Sequence, residues 1–495
     1  MSARRTTPTS RLTSRVITGC AATLTLMTML PVDTAAARPN CDVPTPPPVC
    51  EHDPPTPPRP LPPAVDQARF SWQLDRLNQG SVGDGAVAET NFDATNESQR
   101  SPVLVNGCGS SAAGGKPVSY SWTFGTGTAP TSPSPRCSYG WLRPLSHTAA
   151  STDVTLTVTP SGRAPFSVTH AVNYRDVVIA SLGDSAASGQ GAPERLRQPK
   201  PVFTASSDCN RSGWAASAQI ALRIQSSTPE TTVHFWHLAC SGAHITGDGN
   251  NDWRTRSTQP LDSGGMLQPY NGAHSDRHLV LPPQVTRLGQ LIQQSGLPVD
   301  RLLLTVGAND THWATVVQPC LAVGLGAILL PGQLDALQAA CIAGYRAKVQ
   351  RAVNALPAHF DKLRGPLEAL VPRQNIYLSE YFDPLDSLTP PVGICVGEIF
   401  ASHYLRLYAD VAVEFPLQDI VRTRAAAYGW HFVGGIRAAF QRHGICQLER
   451  VRWTNSVSDS KRDQGDIDGS WHANRTGQLV MADVGYPQIA AGLRP

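Results

Sequence analysis

The second part of the chain alternates between short apolar runs and amphipathic stretches, and this alternation restricts the fold more than any other feature. The strand candidates are Val177–Ala180, Thr231–Cys240, Arg301–Asp310 and Arg373–Tyr381. Between them lie helical patterns at Trp214–Ile224, Pro283–Gln294, Gly332–Asn354 and Leu417–Gln441. Repetition of strand, helix and strand predicts a parallel sheet with helices on both faces. We therefore expect an α/β domain over residues 176–495.

The first apolar run leads into a Gly-Asp-Ser turn at Gly183–Ser185. An unbroken apolar run suits a strand that is buried on both faces, as in a parallel sheet. Ser185 would then lie at the carboxyl edge of the sheet, where open α/β sheets bind their ligands. Small-residue turns after strands are common, so this tripeptide gains meaning only if partner residues reach the same edge.

The N-terminus is typical of a secretory signal, which we place at residues 1–37. An apolar run, Val16–Leu30, is followed by small residues at Ala35–Ala37 and preceded by a basic region with Arg4, Arg5, Arg11 and Arg15. A retained membrane anchor is the alternative, although the apolar run is short for a bilayer span. Loss of four arginines and Asp33 takes the formal charge from +3 to about zero. That balance favours neither nucleic acid nor an anionic membrane as a partner.

Eleven cysteines are present, and Cys20 would leave with the signal. The ten cysteines that remain are an even number, which in an exported chain favours disulfides over metal or redox chemistry. Residues 38–65 are dominated by proline, which favours a semi-rigid polyproline II linker. Cys41 and Cys50 bracket part of this linker and are candidates for a local pair.

Residues 66–175 have the pattern of a small β-sandwich module. Short β-prone runs near Phe70, at Val118–Gly125 and at Asp153–Pro160 are separated by glycine, proline and serine clusters. Along the last run Val154, Leu156 and Val158 alternate with threonines, so the apolar side chains should face a core. No catalytic group of residues is recognisable in this part of the chain.

The stretch Val103–Gly127, with its SWTFG segment, resembles the polycystic-kidney-disease (PKD) repeat, an immunoglobulin-like β-sandwich. Thr126 stands where that family usually has an acidic residue. The resemblance implies a spacer or binding module, in which Cys108 and Cys137 are the natural pair.

Three stretches beyond Ser185 carry residues whose side chains or backbone groups are suited to catalysis. Gly242 and Asn309 each follow an apolar strand and offer a backbone N–H and a side-chain amide, respectively. Asp468 and His472, near the C-terminus, offer an acid and a general base. Ester hydrolysis through serine needs a nucleophile, an imidazole, a group that orients the imidazole, and donors for the oxyanion. Every one of these roles has a candidate.

The order GDS, CSGA, GAND and a C-terminal D…H resembles the SGNH, or GDSL-type, hydrolase superfamily over residues 176–495. Members of that family hydrolyse esters on a flavodoxin-like three-layer α/β/α sheet. The resemblance implies that Ser185 is the nucleophile and His472 the general base. It implies an oxyanion hole made by the Ser185 and Gly242 N–H groups and the Asn309 amide.

The acid departs from the family pattern. Gly469 holds the usual place, three residues before the histidine, and Asp468 lies one residue earlier. We assign the acid to Asp468, with Asp466 as a weaker candidate. Some relatives use a backbone carbonyl in its place.

The same resemblance implies a bridge between Cys209 and Cys240, beside Gly242. Cys320 with Cys341 and Cys395 with Cys446 would complete the set, although connectivity cannot be deduced from sequence. His234, His237 and His244 could suggest zinc, but the first two lie on a predicted strand at a spacing unsuited to it. We expect no metal or other cofactor, and structural roles for Asp184 and Asp310.

These observations predict a secreted serine hydrolase that cleaves carboxylic esters through an acyl-enzyme. Its partner would be an ester substrate: a small molecule, a lipid or an acylated polysaccharide. The alternatives are a polysaccharide-deacetylating esterase, a lipase, or a non-catalytic cell-surface binding protein on the same fold. The β-sandwich module hints at polymer or cell-surface contact. Intact Ser185, Asn309 and His472 speak against the binding protein.

Overall fold

The computed structural model describes residues 65–74, 100–125 apart from 116 and 118, 133–134, 137–194, 203, 208–246, 264–270, 280–313, 320, 331–385 and 403–493. The predicted signal, nearly all of the predicted linker, and Cys41, Cys50 and Cys395 lie outside these residues. No described helix combines the length and the apolar character needed to cross a bilayer.

The first described strands form two facing sheets. They are β1 (Ser71–Leu74), β2 (Arg100–Asn106), β3 (Ser119–Phe124), β4 (Pro133–Ser134), β5 (Ser138–Pro144), β6 (Ala150–Thr159) and β7 (Phe166–Gly183). Strands β1, β2 and β5 make an antiparallel sheet, while β6 pairs with β3 and with the start of β7. Val154, Leu156 and Val158 are fully buried between the sheets, beside Trp122. The predicted inward orientation of these three side chains is confirmed.

Strand β7 runs without interruption from this sandwich into a second sheet. Its first part pairs antiparallel with β6, over Phe166–Tyr174. Its second part pairs in parallel with β8 (Thr231–His237) and β9 (Arg301–Thr305). The domain boundary that we predicted between residues 175 and 176 therefore falls inside one strand, which joins the two parts directly.

A buried ion pair reinforces this junction. Arg143 on β5 donates two hydrogen bonds, of 2.7 and 2.9 Å, to the Asp176 carboxylate on β7, and both side chains are fully buried. Asp176 also bonds with His234 on β8 and accepts from the Ser146 N–H. Burial would raise the pKa of Asp176, but hydrogen bonds from His234 and Arg143 outweigh it and hold that pKa below its ordinary value.

The second sheet is parallel, with β8, β7, β9, β10 (Ile376–Ser379) and β11 (His431–Val433) in that spatial order. When β7 to β11 are renumbered 1 to 5 along the chain, their spatial order is 2-1-3-4-5. Flavodoxin-like sheets have the same order, and their ligands bind where the winding direction changes. That switch point lies between β7 and β9. The prediction of an α/β domain with a parallel sheet is confirmed.

The described helices are α1 (Ser185–Ser188), α2 (Ala216–Ser227), α3 (Gln284–Ser295), α4 (Pro331–Glu368), α5 (His403–Ala409), α6 (Phe415–Tyr428), α7 (Ile436–Ala439), α8 (Val457–Asp463) and α9 (Arg475–Ile489). A π-helical turn, Asp410–Glu414, joins α5 to α6. Helix α2 packs against α9, and α4 packs against α6. The sheet carries the main core, which includes Ile179, Leu182 and Leu304. This arrangement is consistent with three α/β/α layers.

The predicted helix Leu417–Gln441 is not continuous: α6 ends at Tyr428, and of the described residues beyond it only Ile436–Ala439 form an α-helix, α7. Gly429 adopts φ +70° and ends α6, and the Trp430 N–H caps the helix through Ala425 O at 2.9 Å. The residues that follow form β11, which pairs with β10 at the sheet edge. Strand β11 is only three residues long, so its apolar pattern could not be distinguished from a continuing amphipathic helix.

Disulfides join Cys108 to Cys137, Cys209 to Cys240 and Cys320 to Cys341. These are three of the pairs that we predicted. Cys446 is also disulfide-bonded, while its predicted partner Cys395 is outside the described residues.

Candidate active site

A sharp turn joins β7 to α1 and holds Ser185. Gly183 has a φ of +138°, and a Cβ there would lie 1.9 Å from the Thr305 carbonyl oxygen, so only glycine fits. Asp184 caps α1 by accepting a 3.0 Å hydrogen bond from the Ala186 N–H. Ser185 is the first residue of α1, a position whose N–H has no acceptor within its helix. The partly exposed Ser185 thus stands at the carboxyl edge of the sheet, with its backbone N–H outside the hydrogen-bond pattern of α1.

Gln284, the first residue of α3, clamps this turn. Its Nε2 donates to Gly183 O over 2.8 Å, and its Oε1 accepts from the Gly183 N–H over 2.8 Å. The side chain is buried. Sequence reasoning missed Gln284, because a glutamine that opens an amphipathic helix gives no signal of a contact 101 residues away.

Two neighbouring loops bear the other predicted oxyanion donors. Gly242 follows β8, is exposed and has a φ of +82°. Asn309 follows β9, and its Nδ2 donates one hydrogen bond to Ala243 O over 3.0 Å. Because β8, β7 and β9 are adjacent in the sheet, Gly242, Ser185 and Asn309 follow neighbouring strand ends.

These donor loops are tied to each other and to the helical layer. The Asp310 carboxylate accepts from the Ile245 N–H over 2.9 Å and lies 2.9 Å from Nδ1 of His359 on α4. The Cys209–Cys240 disulfide holds the other side of the Gly242 loop. Asp310 therefore acts structurally in this arrangement, as a buried link between the two loops.

The loop that carries His472 lies against the segment that follows α1. The Trp471 N–H donates to Asn455 O, and the Asn455 N–H donates to His472 O, both over 2.9 Å. A Cβ on Gly191 would lie 2.8 Å from the His472 Cβ. The predicted base is thus packed onto the same stretch of chain that contains the predicted nucleophile.

The His472 ring has a backbone partner. Its Nδ1 lies 3.1 Å from Ser470 O, and an Nδ1–H that donates to this carbonyl leaves Nε2 as the basic nitrogen. Trp471, between the two, has a φ of +73°, a conformation that costs a bulky residue on the order of 1–3 kcal/mol. Asp468 is partly exposed, and its carbonyl oxygen accepts from Gln190 Nε2 over 2.6 Å. The contact between Nδ1 and Ser470 O fits the backbone-carbonyl alternative.

A buried hydrogen-bond chain links the Gly183–Ser185 turn to the Asn309 loop. The Tyr381 hydroxyl donates to Asp184 and accepts from the Ala308 N–H over 3.2 Å. Burial raises the pKa of Asp184 to about 7, and the nearby Asp310 carboxylate adds to the rise. Burial and Asp184 likewise raise the pKa of Tyr381 well above its ordinary value. Tyr381 therefore keeps its proton across the neutral range.

We expect Asp184 to make stability depend on pH. Because burial raises its pKa, the folded chain holds the Asp184 proton up to about pH 7, whereas an aspartate in the unfolded chain loses its proton near pH ~3.9. The free energy of unfolding should therefore fall as pH rises between these values, by roughly 2–3 kcal/mol from pH 5 to pH 8. Urea unfolding at both pH values should show a smaller fall for Asp184→Asn. Equal falls in the two proteins would contradict this assignment.

The three histidines that could suggest zinc have separate partners. His234 bonds with Asp176, His237 with Ser188 O at 3.2 Å, and His244 with Gly242 O at 2.9 Å. Burial, helped by the positive charge of Arg211, lowers the pKa of His237 to about 3. His237 is therefore a neutral donor that anchors α1 to β8.

Among the described residues, one acidic group has metal-binding geometry: Asp383, Asp410 and Glu414, with carboxylate oxygens within 4.8 Å of one another. The Arg437 guanidinium lies 3.4 Å from Glu414 and 3.7 Å from Asp383. Burial, together with the Asp383 and Asp410 charges, raises the pKa of Glu414 well above its ordinary value. The Arg437 guanidinium thus supplies a positive counter-charge to this buried acidic group.

No family model and no curated protein matches the chain. Among solved structures, the chain is similar to a lipase from a goat rumen metagenome, with a TM-score of 0.25 and 11% identity over 64% of this chain and 97% of that one. It is also similar to a carbohydrate acetylesterase from Xanthomonas citri, with a TM-score of 0.24 and 12% identity over 79% and 72% of the two chains. Likeness at this level carries no argument about function.

Proposed function

We propose that the chain is an exported serine hydrolase of the SGNH, or GDSL, type that cleaves carboxylic esters. One observation carries the proposal. Four loops that are distant in sequence, those of Ser185, Gly242, Asn309 and His472, are tied together by hydrogen bonds and packing at the switch-point edge of a parallel sheet. Such an edge is where this class of sheet binds its ligands.

Acylation of Ser185 is the first half of the proposed reaction. Nε2 of His472 takes the Ser185 proton as Oγ attacks the ester carbonyl. Negative charge then develops on the former carbonyl oxygen. The Ser185 and Gly242 N–H groups and the second Asn309 amide hydrogen stabilise it, because fixed donors need no reorganisation when the charge appears. His472 returns the proton to the departing alcohol, which leaves an acyl group on Oγ.

Deacylation repeats these roles with water. His472 removes a proton from a water molecule as it attacks the acyl carbon, and the same donors hold the second oxyanion. His472 then protonates Ser185 Oγ as the carboxylic acid leaves. The Ser470 carbonyl keeps Nδ1 as the donor throughout, so Nε2 alone exchanges the proton. No metal or cofactor takes part in this scheme.

The described disulfides support the proposal of export, because such bonds persist in oxidising compartments. The β-sandwich at the start of the described chain would be held in a fixed orientation by β7 and by the Arg143–Asp176 pair. We propose that it orients the site towards a larger acylated substrate or surface.

The experiment is hydrolysis of p-nitrophenyl acetate and of longer acyl esters by the full exported chain. We expect measurable turnover on at least one ester. The acyl-length preference then separates an acetyl-removing esterase from a lipase. Inactivity on every ester would favour the non-catalytic binding protein.

We expect Asp468→Asn to lower kcat/KM less than about tenfold, because the Ser470 carbonyl already orients His472. Replacement of the orienting aspartate in an established Ser-His-Asp triad costs about 10⁴-fold. Asp466→Asn, which tests the weaker candidate in the same loop, is measured beside it; the Asp466 carboxylate accepts from the Asp468 N–H over 2.9 Å. A thousandfold loss confined to Asp468→Asn would establish Asp468 as the acid instead.

A further inference from the structure

We infer that Asn455 is a positioning residue, which fixes the His472 loop against the segment that follows the nucleophile. This inference rests on the proposed function, since it assigns a role towards His472 acting as a base. Neither the sequence blocks nor the resemblance to hydrolases points to Asn455, which lies outside all four.

The Asn455 side chain joins the two segments directly. Its Nδ2 donates to Gly191 O over 2.7 Å and approaches Gly469 O at 3.4 Å. The first carbonyl belongs to the segment after α1, and the second to the histidine loop. Asn455 is only 2% exposed, so water does not compete freely for these contacts. One buried amide thus bridges the two parts that must meet for proton transfer.

The Asn455 backbone holds the histidine loop at the point where it is strained. The Asn455 oxygen accepts from the Trp471 N–H, and the Asn455 N–H donates to His472 O. These two bonds flank the φ of +73° at Trp471, the turn that brings Ser470 O to Nδ1 of His472. The Asn455 backbone therefore acts on the orientation of the His472 imidazole. The Asn455 side chain acts on the distance of that imidazole from Ser185.

The surrounding packing leaves little freedom for another side chain. A Cβ on Gly191 would lie 2.8 Å from both the Asn455 Nδ2 and the His472 Cβ, so these three residues are in close contact. Both acceptors of the amide are carbonyl oxygens, which can only accept, so the side chain that faces them must be a donor. Aspartate, of nearly the same shape, has no such donor when ionised and would repel both oxygens.

The test compares Asn455→Asp with Asn474→Asp in the full chain. Asn474 is a matched control because it ends the loop that carries His472, donates to Arg452 O over 2.9 Å and caps α9, a role that aspartate also fills. Asn474 makes no described bond to the segment after α1. Steady-state kinetics, the pH dependence of kcat and thermal unfolding are measured for each protein on the ester that wild type hydrolyses best.

For Asn455→Asp we expect kcat to fall about 10–100-fold with KM changed less than about twofold, because a misplacement near 1 Å costs about 10²-fold. The acidic limb of its kcat–pH profile should move to higher pH, because a new carboxylate near His472 favours the protonated imidazolium form. Asn474→Asp should stay within about twofold of wild type in kcat, with an unmoved profile. Where Asn455→Asp does not fold, Asn455→Ser, which is neutral and too short to span both carbonyls, is measured in the same way.

Wild-type kcat and an unmoved pH profile in the Asn455 variant would overturn the inference. If Ser185→Ala, measured beside these variants, is inactive while wild type is active, the proposed function still stands. Equal losses in the Asn455 and Asn474 variants would also overturn it, since general loosening of the loop would then explain both. An inactive wild-type chain would overturn the inference and the proposed function together.

Discussion

Ser185→Ala is expected to lower kcat/KM for ester hydrolysis by about 10⁴-fold or more. Alanine keeps the turn between β7 and α1 but removes the oxygen that forms the acyl bond in the proposed mechanism. Residual activity would come from the oxyanion donors and from substrate binding alone. Initial rates on the best p-nitrophenyl ester, measured up to saturation, provide the comparison.

Ser188→Ala is the matched control for that loss. Ser188 lies in the same helix, is fully buried, and its hydroxyl donates to Ser185 O over 3.1 Å. We expect less than about a tenfold change, since one neutral hydrogen bond is worth roughly 1 kcal/mol. His472→Ala should match Ser185→Ala, and the double variant should be little worse, because the two residues act as a unit. Additive losses, or an active Ser185→Ala protein, would contradict the assignment.

Arg143→Met is expected to cost about 3–5 kcal/mol in the free energy of unfolding. The substitution keeps an apolar stem of similar length but leaves the Asp176 carboxylate buried with one charge partner removed. Because Asp176 lies where β7 passes from one sheet to the other, the loss should affect both sheets. Urea unfolding followed by tryptophan fluorescence and by far-UV circular dichroism measures it.

Arg163→Met is the control on the surface of the same sandwich. Arg163 pairs with Asp66, and both side chains are at least one-third exposed. Exposed pairs contribute roughly 0–1 kcal/mol, so this variant should be nearly as stable as wild type. Equal losses in the free energy of unfolding for the two substitutions would show that the buried Arg143–Asp176 pair does not stabilise the junction between the two sheets.

The fold class was predictable because parallel strands buried on both faces leave long apolar runs. Strands β8, β9 and β10 fall within predicted segments, and the predicted segment Val177–Ala180 lies inside the longer β7. The edge strand β11 was missed, because three residues between two glycine-containing turns carry too little pattern. The continuity of β7 was missed for a different reason: its first part has one exposed face and its second part has none, so the change of pattern resembles a boundary.

The chemistry of the candidate site was accessible from sequence, since its residue types and their order are restrictive. The roles of Ser185, His472 and the oxyanion donors stay predictions that the experiments above test. The supporting residues Gln284, Tyr381 and Asn455 were not accessible. Their amide and hydroxyl groups bond to backbone atoms or carboxylates far away in sequence, and such contacts leave no local pattern.

The measurement closest to the central claim is covalent labelling of the folded chain with a fluorophosphonate, followed by peptide mass spectrometry. This reagent reacts with a serine whose Oγ is activated by a neighbouring base. We predict one adduct per chain, located on Ser185, and none in Ser185→Ala or in denatured protein. Labelling that is absent, or that falls on another residue, would contradict the assignment of Ser185 as the nucleophile.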